Sequence, residues 1–176
     1  MPHPFVRLPE IQMEISALFK GENTMKRIAS FCVDHTKLMP GIYVSRIDGD
    51  IITYDIRMVK PNTPPYLQNG ELHTIEHLFA TFSRNSKYAD SVIYFGPMGC
   101  RTGFYFLLRN VAKADAVQLI IAIFRQIAAF EGQIPGTTAA ECGNYLDHDL
   151  AGAKRRAAEF LPIIENWTEA KLAYQV

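Results

Sequence analysis

Two imidazoles and a carboxylate fall within five residues in HTIEH, His73 to His77. Four residues along a helix rise about 6 Å and complete slightly more than one turn, so His73 and His77 share a face. From there they can hold one metal ion between them. Glu76, three residues after His73, lies close to that face and can carry a proton beside the ion. The order H-x-x-E-H is itself a metalloenzyme pattern. A catalytic metal with three protein ligands keeps one position open for water or substrate. The downstream candidates for the third ligand are Cys142, its neighbour Glu141, and His148, and spacing does not choose among them.

Cys100, in the turn GPMGCRTG, has two readings. It is either a small buried hydrophobe, as free cysteines usually are, or a thiolate base. The second needs positive potential nearby, which Arg101, exposed turn amides and a neighbouring dication could supply. His35 in VDHT and Arg57 in YDIRM read, on residues alone, as ordinary polar or salt-bridged side chains.

These groups need a scaffold. Residues 41–59 alternate through two β-rich runs around Asp48-Gly49, a strong hairpin signal. In the second run Asp55 and Arg57 share one face, so that face is not simply core. Prolines between 61 and 70 mark a loop, and residues 71–84 form a helix whose Leu72, Ile75, Leu78, Phe79 and Phe82 make an apolar stripe. SVIYF and GFYFLL read as strands flanking the Cys100 turn. Asp115 is the expected N-cap of a helix through Phe130 that Gly132 closes. IPGTTAAECGNYL is a loop, and the last helical region, roughly 149–172, contains Pro162, which should interrupt or kink it. Residues 10–20 have helical spacing before the break at Gly21. The expected fold is α+β, a mainly antiparallel sheet covered by helices in one domain, with the metal site on a helix.

The chain has 176 residues and is 48% hydrophobic, enough for one globular core. Lys plus Arg and Asp plus Glu both number 18, so global charge recruits neither nucleic acid nor an anionic membrane. The apolar run VQLIIAIF is far short of the roughly 20 residues that span a bilayer. Arg7 and Glu10 interrupt the N-terminal segment, which has no signal-type apolar core. Three cysteines without paired spacing suit reduced thiols. A cytoplasmic protein with a small neutral or zwitterionic partner is the expectation.

SFCVDH (30–35), YDIRMVKPN (54–62), HTIEHLFATFSRN (73–85), GPMGCRTGFY (96–105) and ECGNYLDHDLAGAKRRA (141–157) occur together and in this order. The set resembles the S-ribosylhomocysteine lyase (LuxS) family, which makes the precursor of autoinducer-2, from about Met25 to the last helix. The resemblance implies one Fe²⁺ per subunit, replaceable by zinc or cobalt, held by His73, His77 and Cys142. It implies Glu76 and Cys100 as the acid/base pair, and Ser30, His35 and Arg57 as substrate contacts. It also implies a homodimer with sites at the subunit interface and cleavage of S-ribosylhomocysteine by carbonyl migration and β-elimination. Two departures stand out: Tyr94 occupies the place of an acid that helps hold the substrate's amino-acid end, and residues 1–24 are surplus to the family's usual start, which makes 25–176 the expected lyase domain. The rival readings are an inverted-motif zinc peptidase, with Glu141 or another carboxylate as third ligand, and a metal-bearing binding protein without turnover.

Overall fold

The structure is a computed structural model that describes residues 27, 28 and 31–175. The expected helix at 10–20 and the expected substrate contact Ser30 lie outside the described residues. The chain divides into two compact units, Met1–Cys32 and Val33–Val176, and the second carries the architecture that follows.

Strands β1 (Gly41–Asp48) and β2 (Ile51–Arg57) form the expected hairpin, joined by the two-residue turn Gly49-Asp50. Gly49 has φ +61°, a left-handed conformation that a side chain would strain. Strands β3 (Val92–Pro97) and β4 (Gly103–Arg109) flank the Cys100 turn. All neighbours are antiparallel and the order is β1-β2-β4-β3. Alternation then sorts the side chains. Tyr54 and Ile56 of β2, with Phe104, Phe106 and Leu108 of β4, are at most 1% exposed and belong to the main core. The intervening residues of β2 put Asp55 and Arg57 on the other face, with Tyr43 and Tyr105 opposite Asp55 in the register.

Helix α1 (Asn69–Arg84) buries Leu72, Ile75, Leu78 and Phe79 of the predicted stripe, and Phe82 packs partly buried at its end. The Phe79 ring stacks on Phe95 at 3.8 Å and meets Phe106 and Phe124 edge-on, which fixes the helix against the sheet. At its start, the Gln68 N–H donates to the Glu71 carboxylate at 2.8 Å in a capping box. The same buried carboxylate accepts from Arg155 and Arg156 of α3 (Leu150–Ile164). One carboxylate thus caps α1 and ties it to the helix that follows the loop carrying Cys142.

Helix α2 runs from Lys113 to Ala129. Its N-cap is Ala112, and Asp115 sits inside the first turn instead of capping it. There the carboxylate still faces the positive end of the helix, so its presence marked the right turn but not the right residue. On α3, Asp149 is the N-cap and accepts the Gly152 N–H at 2.8 Å. Pro162 lies in the final turn and the helix stops two residues later, at Ile164. Beyond it the chain returns to the sheet. Trp167 Nε1 donates to Ile42 O at 2.7 Å and the Val44 N–H donates to Leu172 O at 2.8 Å, both along β1.

Among the described residues no helix is long and apolar enough to cross a membrane. Cys32, Cys100 and Cys142 are all free.

Candidate active site

The stripe that seats α1 on the sheet leaves His73, Glu76 and His77 on its half-buried flank. The loop between α2 and α3 passes over that flank. His73 Nδ1 donates to Asp147 O at 2.9 Å and His77 Nδ1 donates to Pro135 O at 2.8 Å. A carbonyl can only accept, so each ring keeps its proton on Nδ1 and offers an Nε2 lone pair. Cys142 Sγ lies 3.3 Å from His73 Nε2 and receives the Asn144 N–H at 3.5 Å. His73, His77, Cys142 and His148 each bring one ligand atom, and these four atoms lie within 4.8 Å of one another.

The loop has to come very close to α1 for this. Gly136, at φ +72°, passes so near that a Cβ there would sit 3.3 Å from His77 Nδ1. The donor set fits a divalent cation of borderline softness: two neutral imidazole nitrogens with outward protons pinned by carbonyls, and one sulfur with an amide hydrogen bond. Glu141, the rival third ligand, is exposed and accepts from Thr138 Oγ1 at 2.7 Å outside this cluster.

His148, one of the three candidates that spacing left open, is the fourth member of the group. Its ring stacks on His73 at 4.0 Å and meets His77 edge-on at 4.8 Å. Burial first, and then the neighbouring His73 and His77, pull its pKa below the ordinary imidazole value.

A second group, holding the expected site residues Arg57 and Cys100, is built on the sheet. Arg57 and Asp55, the i,i+2 pair of β2, are 2% and 1% exposed. They form a two-pronged ion pair, with Nη2 to Oδ2 at 2.6 Å and Nε to Oδ1 at 3.2 Å. Burial alone would lower the Arg57 pKa, but Asp55, with Cys100 and Tyr174, more than offsets this and holds it above its usual value. Arg57 Nη1 donates to Thr102 Oγ1 at 2.5 Å and reaches Cys100 Sγ at 3.8 Å. Cys100 Sγ and Thr102 Oγ1 are 3.0 Å apart. Tyr174 donates its phenolic hydrogen to Asp55 Oδ2 at 2.8 Å, and burial followed by the Asp55 charge keeps that phenol protonated far above its ordinary range.

The expected site residues therefore fall into two groups. His73, His77 and Cys142 come together on α1 and its covering loop, and Arg57 and Cys100 come together at the end of β2. Glu76 lies on α1 next to His77 and three residues after His73, and is half-buried. His35 is half-buried, with Nδ1 2.9 Å from Val33 O, and no hydrogen bond joins it to either group among the described residues. Asp55 and Thr102 complete the thiol group. Asp55 was legible as Arg57's neighbour on one strand face, and Thr102 only as the residue two after Cys100. Nothing in the sequence pointed to Tyr174.

The sequence profile of the S-ribosylhomocysteinase (LuxS) family matches residues 28–171. An S-ribosylhomocysteine lyase of Clostridium beijerinckii is 52% identical over 157 residues, covering 85% of this chain and 99% of its own length. One from Desulfotalea psychrophila is 50% identical over 157 residues, with the same coverage of both chains. One from Borreliella afzelii is 47% identical over 156 residues, again covering 85% of this chain and 99% of its own.

Proposed function

The chain belongs to the S-ribosylhomocysteinase (LuxS) family, and from that premise we propose that it cleaves S-ribosylhomocysteine into homocysteine and 4,5-dihydroxy-2,3-pentanedione, the autoinducer-2 precursor. It is a carbon–sulfur lyase. The observation that carries the reading is the convergence of His73, His77 and Cys142 across about seventy residues of sequence, on a flank that also bears Glu76.

The chemistry explains the residue types. A thioether on a sugar is hard to eliminate because the carbon next to the sulfur-bearing one has no acidity until a carbonyl stands beside it. Moving the aldehyde to a 2-ketone and then a 3-ketone creates that acidity. The C4 proton can then leave as the C5–sulfur bond breaks and homocysteine departs. A cation held by His73, His77 and Cys142 supplies Lewis acidity at the sugar oxygens when bound. The protons are moved by the chain's own groups. Cys100 and Glu76 are the acid/base pair, each lifting a proton from one carbon and returning it to the next. Arg57, charged and fixed by Asp55, reaches the Cys100 sulfur at 3.8 Å and keeps positive potential there. Ser30, His35 and Arg57 contact the substrate.

The cation is Fe²⁺ in the cell, one per subunit, with zinc or cobalt as functional substitutes. The protein acts in the cytoplasm as a homodimer with a site at each interface. Leu146, 79% exposed on the loop that carries Cys142, with exposed Tyr145 beside it, supports this. Tyr94 replaces the family acid, so the amino-acid end of the substrate is recognised here without that carboxylate. Comparing KM for Tyr94→Asp with the parent measures the difference.

The deciding assay incubates protein loaded anaerobically with Fe²⁺ with S-ribosylhomocysteine and follows free thiol. Thiol should appear, and Cys142→Ala should lose metal and turnover together. A fully metallated protein that releases no thiol overturns the assignment.

A further inference from the structure

The three imidazoles at the centre are held in the same manner but by different partners. His73 and His77 each turn Nδ1 outward to a backbone carbonyl. His148 turns Nδ1 to the Thr74 hydroxyl at 3.2 Å. Thr74 is fully buried on α1, and its oxygen already accepts the Asp149 N–H at 2.9 Å. The amide takes one of that oxygen's two lone pairs, and the buried hydroxyl's own hydrogen has no acceptor among the described residues other than His148 Nδ1. A carbonyl partner forces a proton onto Nδ1, whereas a donating hydroxyl forces it off. The rings of His73 and His77 therefore present lone pairs from Nε2, and His148 presents an N–H.

That N–H has no use yet. His148 Nε2 is buried and has no hydrogen-bond partner among the described residues. Buried polar groups are ordinarily satisfied, and one that is not calls for a reason. The ring lies stacked on His73 within the four-residue cluster, so the unpaired donor sits where a ligand of the centre would be. We infer that His148 is a substrate-orienting residue: its Nε2–H, set in that tautomer by Thr74, donates to a hydroxyl or carbonyl oxygen of the ribose chain seated among His73, His77 and Cys142. Strengthening of this bond as negative charge gathers on the oxygen makes it a contributor to turnover beyond binding.

The inference deepens the lyase reading and rests on it for the identity of the oxygen, but its first test needs no substrate. In zinc-loaded protein, long-range ¹H–¹⁵N correlation of the histidine rings should show His148 with its proton on Nε2, opposite to His73 and His77. A proton on Nδ1 with a metal-shifted Nε2 would make His148 a fourth ligand and overturn the inference. Zinc affinity of His148→Ala and Thr74→Val should stay within about threefold of the parent, and a loss on the order of 100-fold, the scale of disturbing a metal ligand's support, would also overturn it. With S-ribosylhomocysteine, kcat should fall on the order of 100-fold in His148→Ala, the usual scale for deleting a donor to a developing oxyanion. His148→Gln, which keeps an N–H, should recover part of that loss, and unchanged kcat in His148→Ala refutes the role. If the parent itself releases no thiol, the lyase reading has failed, while the tautomer and affinity results still decide how His148 is disposed.

Discussion

The two groups of expected site residues, the thiol end and the metal end, are built on different principles. At the thiol end, Arg57 and Asp55 sit two residues apart on one strand, pair with two prongs, and receive Tyr174 and Thr102 as further partners. The positive charge beside Cys100 is paired and positioned by the protein alone. At the metal end, two histidines on a regular helix face a cysteine on a loop without helix or strand, and the loop is fastened by carbonyls of Asp147 and Pro135. One end is preorganised by a buried ion pair; the other brings its ligand atoms into range and leaves a cation to join them. Loss of the cation should therefore leave the thiol end intact, whereas loss of the ion pair should be felt in folding itself.

The largest effect that tests this contrast is at Cys142. Cys142→Ala should weaken zinc binding by more than about 100-fold and remove turnover, while alkylation of Cys100 by iodoacetamide proceeds at the parent rate; a changed alkylation rate would mean that the two ends are not independent. Arg57→Met strands a buried carboxylate and should lower unfolding stability by about 3–5 kcal/mol in urea titrations of the metal-free protein. An Asp55→Asn, Arg57→Met pair, which removes both charges, should recover a good part of this. Tyr174→Phe deletes one bond to the buried Asp55 charge and should cost about 1.5–2 kcal/mol, with no change in metal content. Gly136→Ala forces a left-handed alanine against His77 and should cost about 1–2 kcal/mol, here with weaker metal binding as its companion. Equal metal affinity in Gly136→Ala would show that the loop can retreat from α1 without disturbing its ligands.

What could be read from residue order differs between the same two ends. The helix carrying HTIEH, the hairpin at Asp48-Gly49 and the turn around Cys100 all carry local signals, an apolar stripe and positive-φ turn chemistry, that tertiary packing reinforced. The choice of Cys142 over Glu141 carried no such signal, because both lie in an irregular loop one residue apart. Family resemblance pointed to the cysteine, and the geometry turns Glu141 to Thr138. Asp115 was misplaced as a cap because an acid is favourable throughout a first turn, not only at its boundary. Tyr174 was invisible because its partner, Asp55, is 119 positions away, and no periodicity links a strand to a segment that returns after a helix. His148 was a candidate by its type alone; only the identity of the group behind its ring, a hydroxyl in place of a carbonyl, distinguishes its office from that of its neighbours.

The segment after α3 has a consequence for how copies can meet. β1 is an outer strand of the sheet, and its Ile42 carbonyl and Val44 amide are already taken by Trp167 and the Leu172 carbonyl. A bare strand margin is a template on which a second chain can continue the ladder. Here that template is occupied at these two rungs by the chain's own returning tail, so a second chain cannot continue the ladder there.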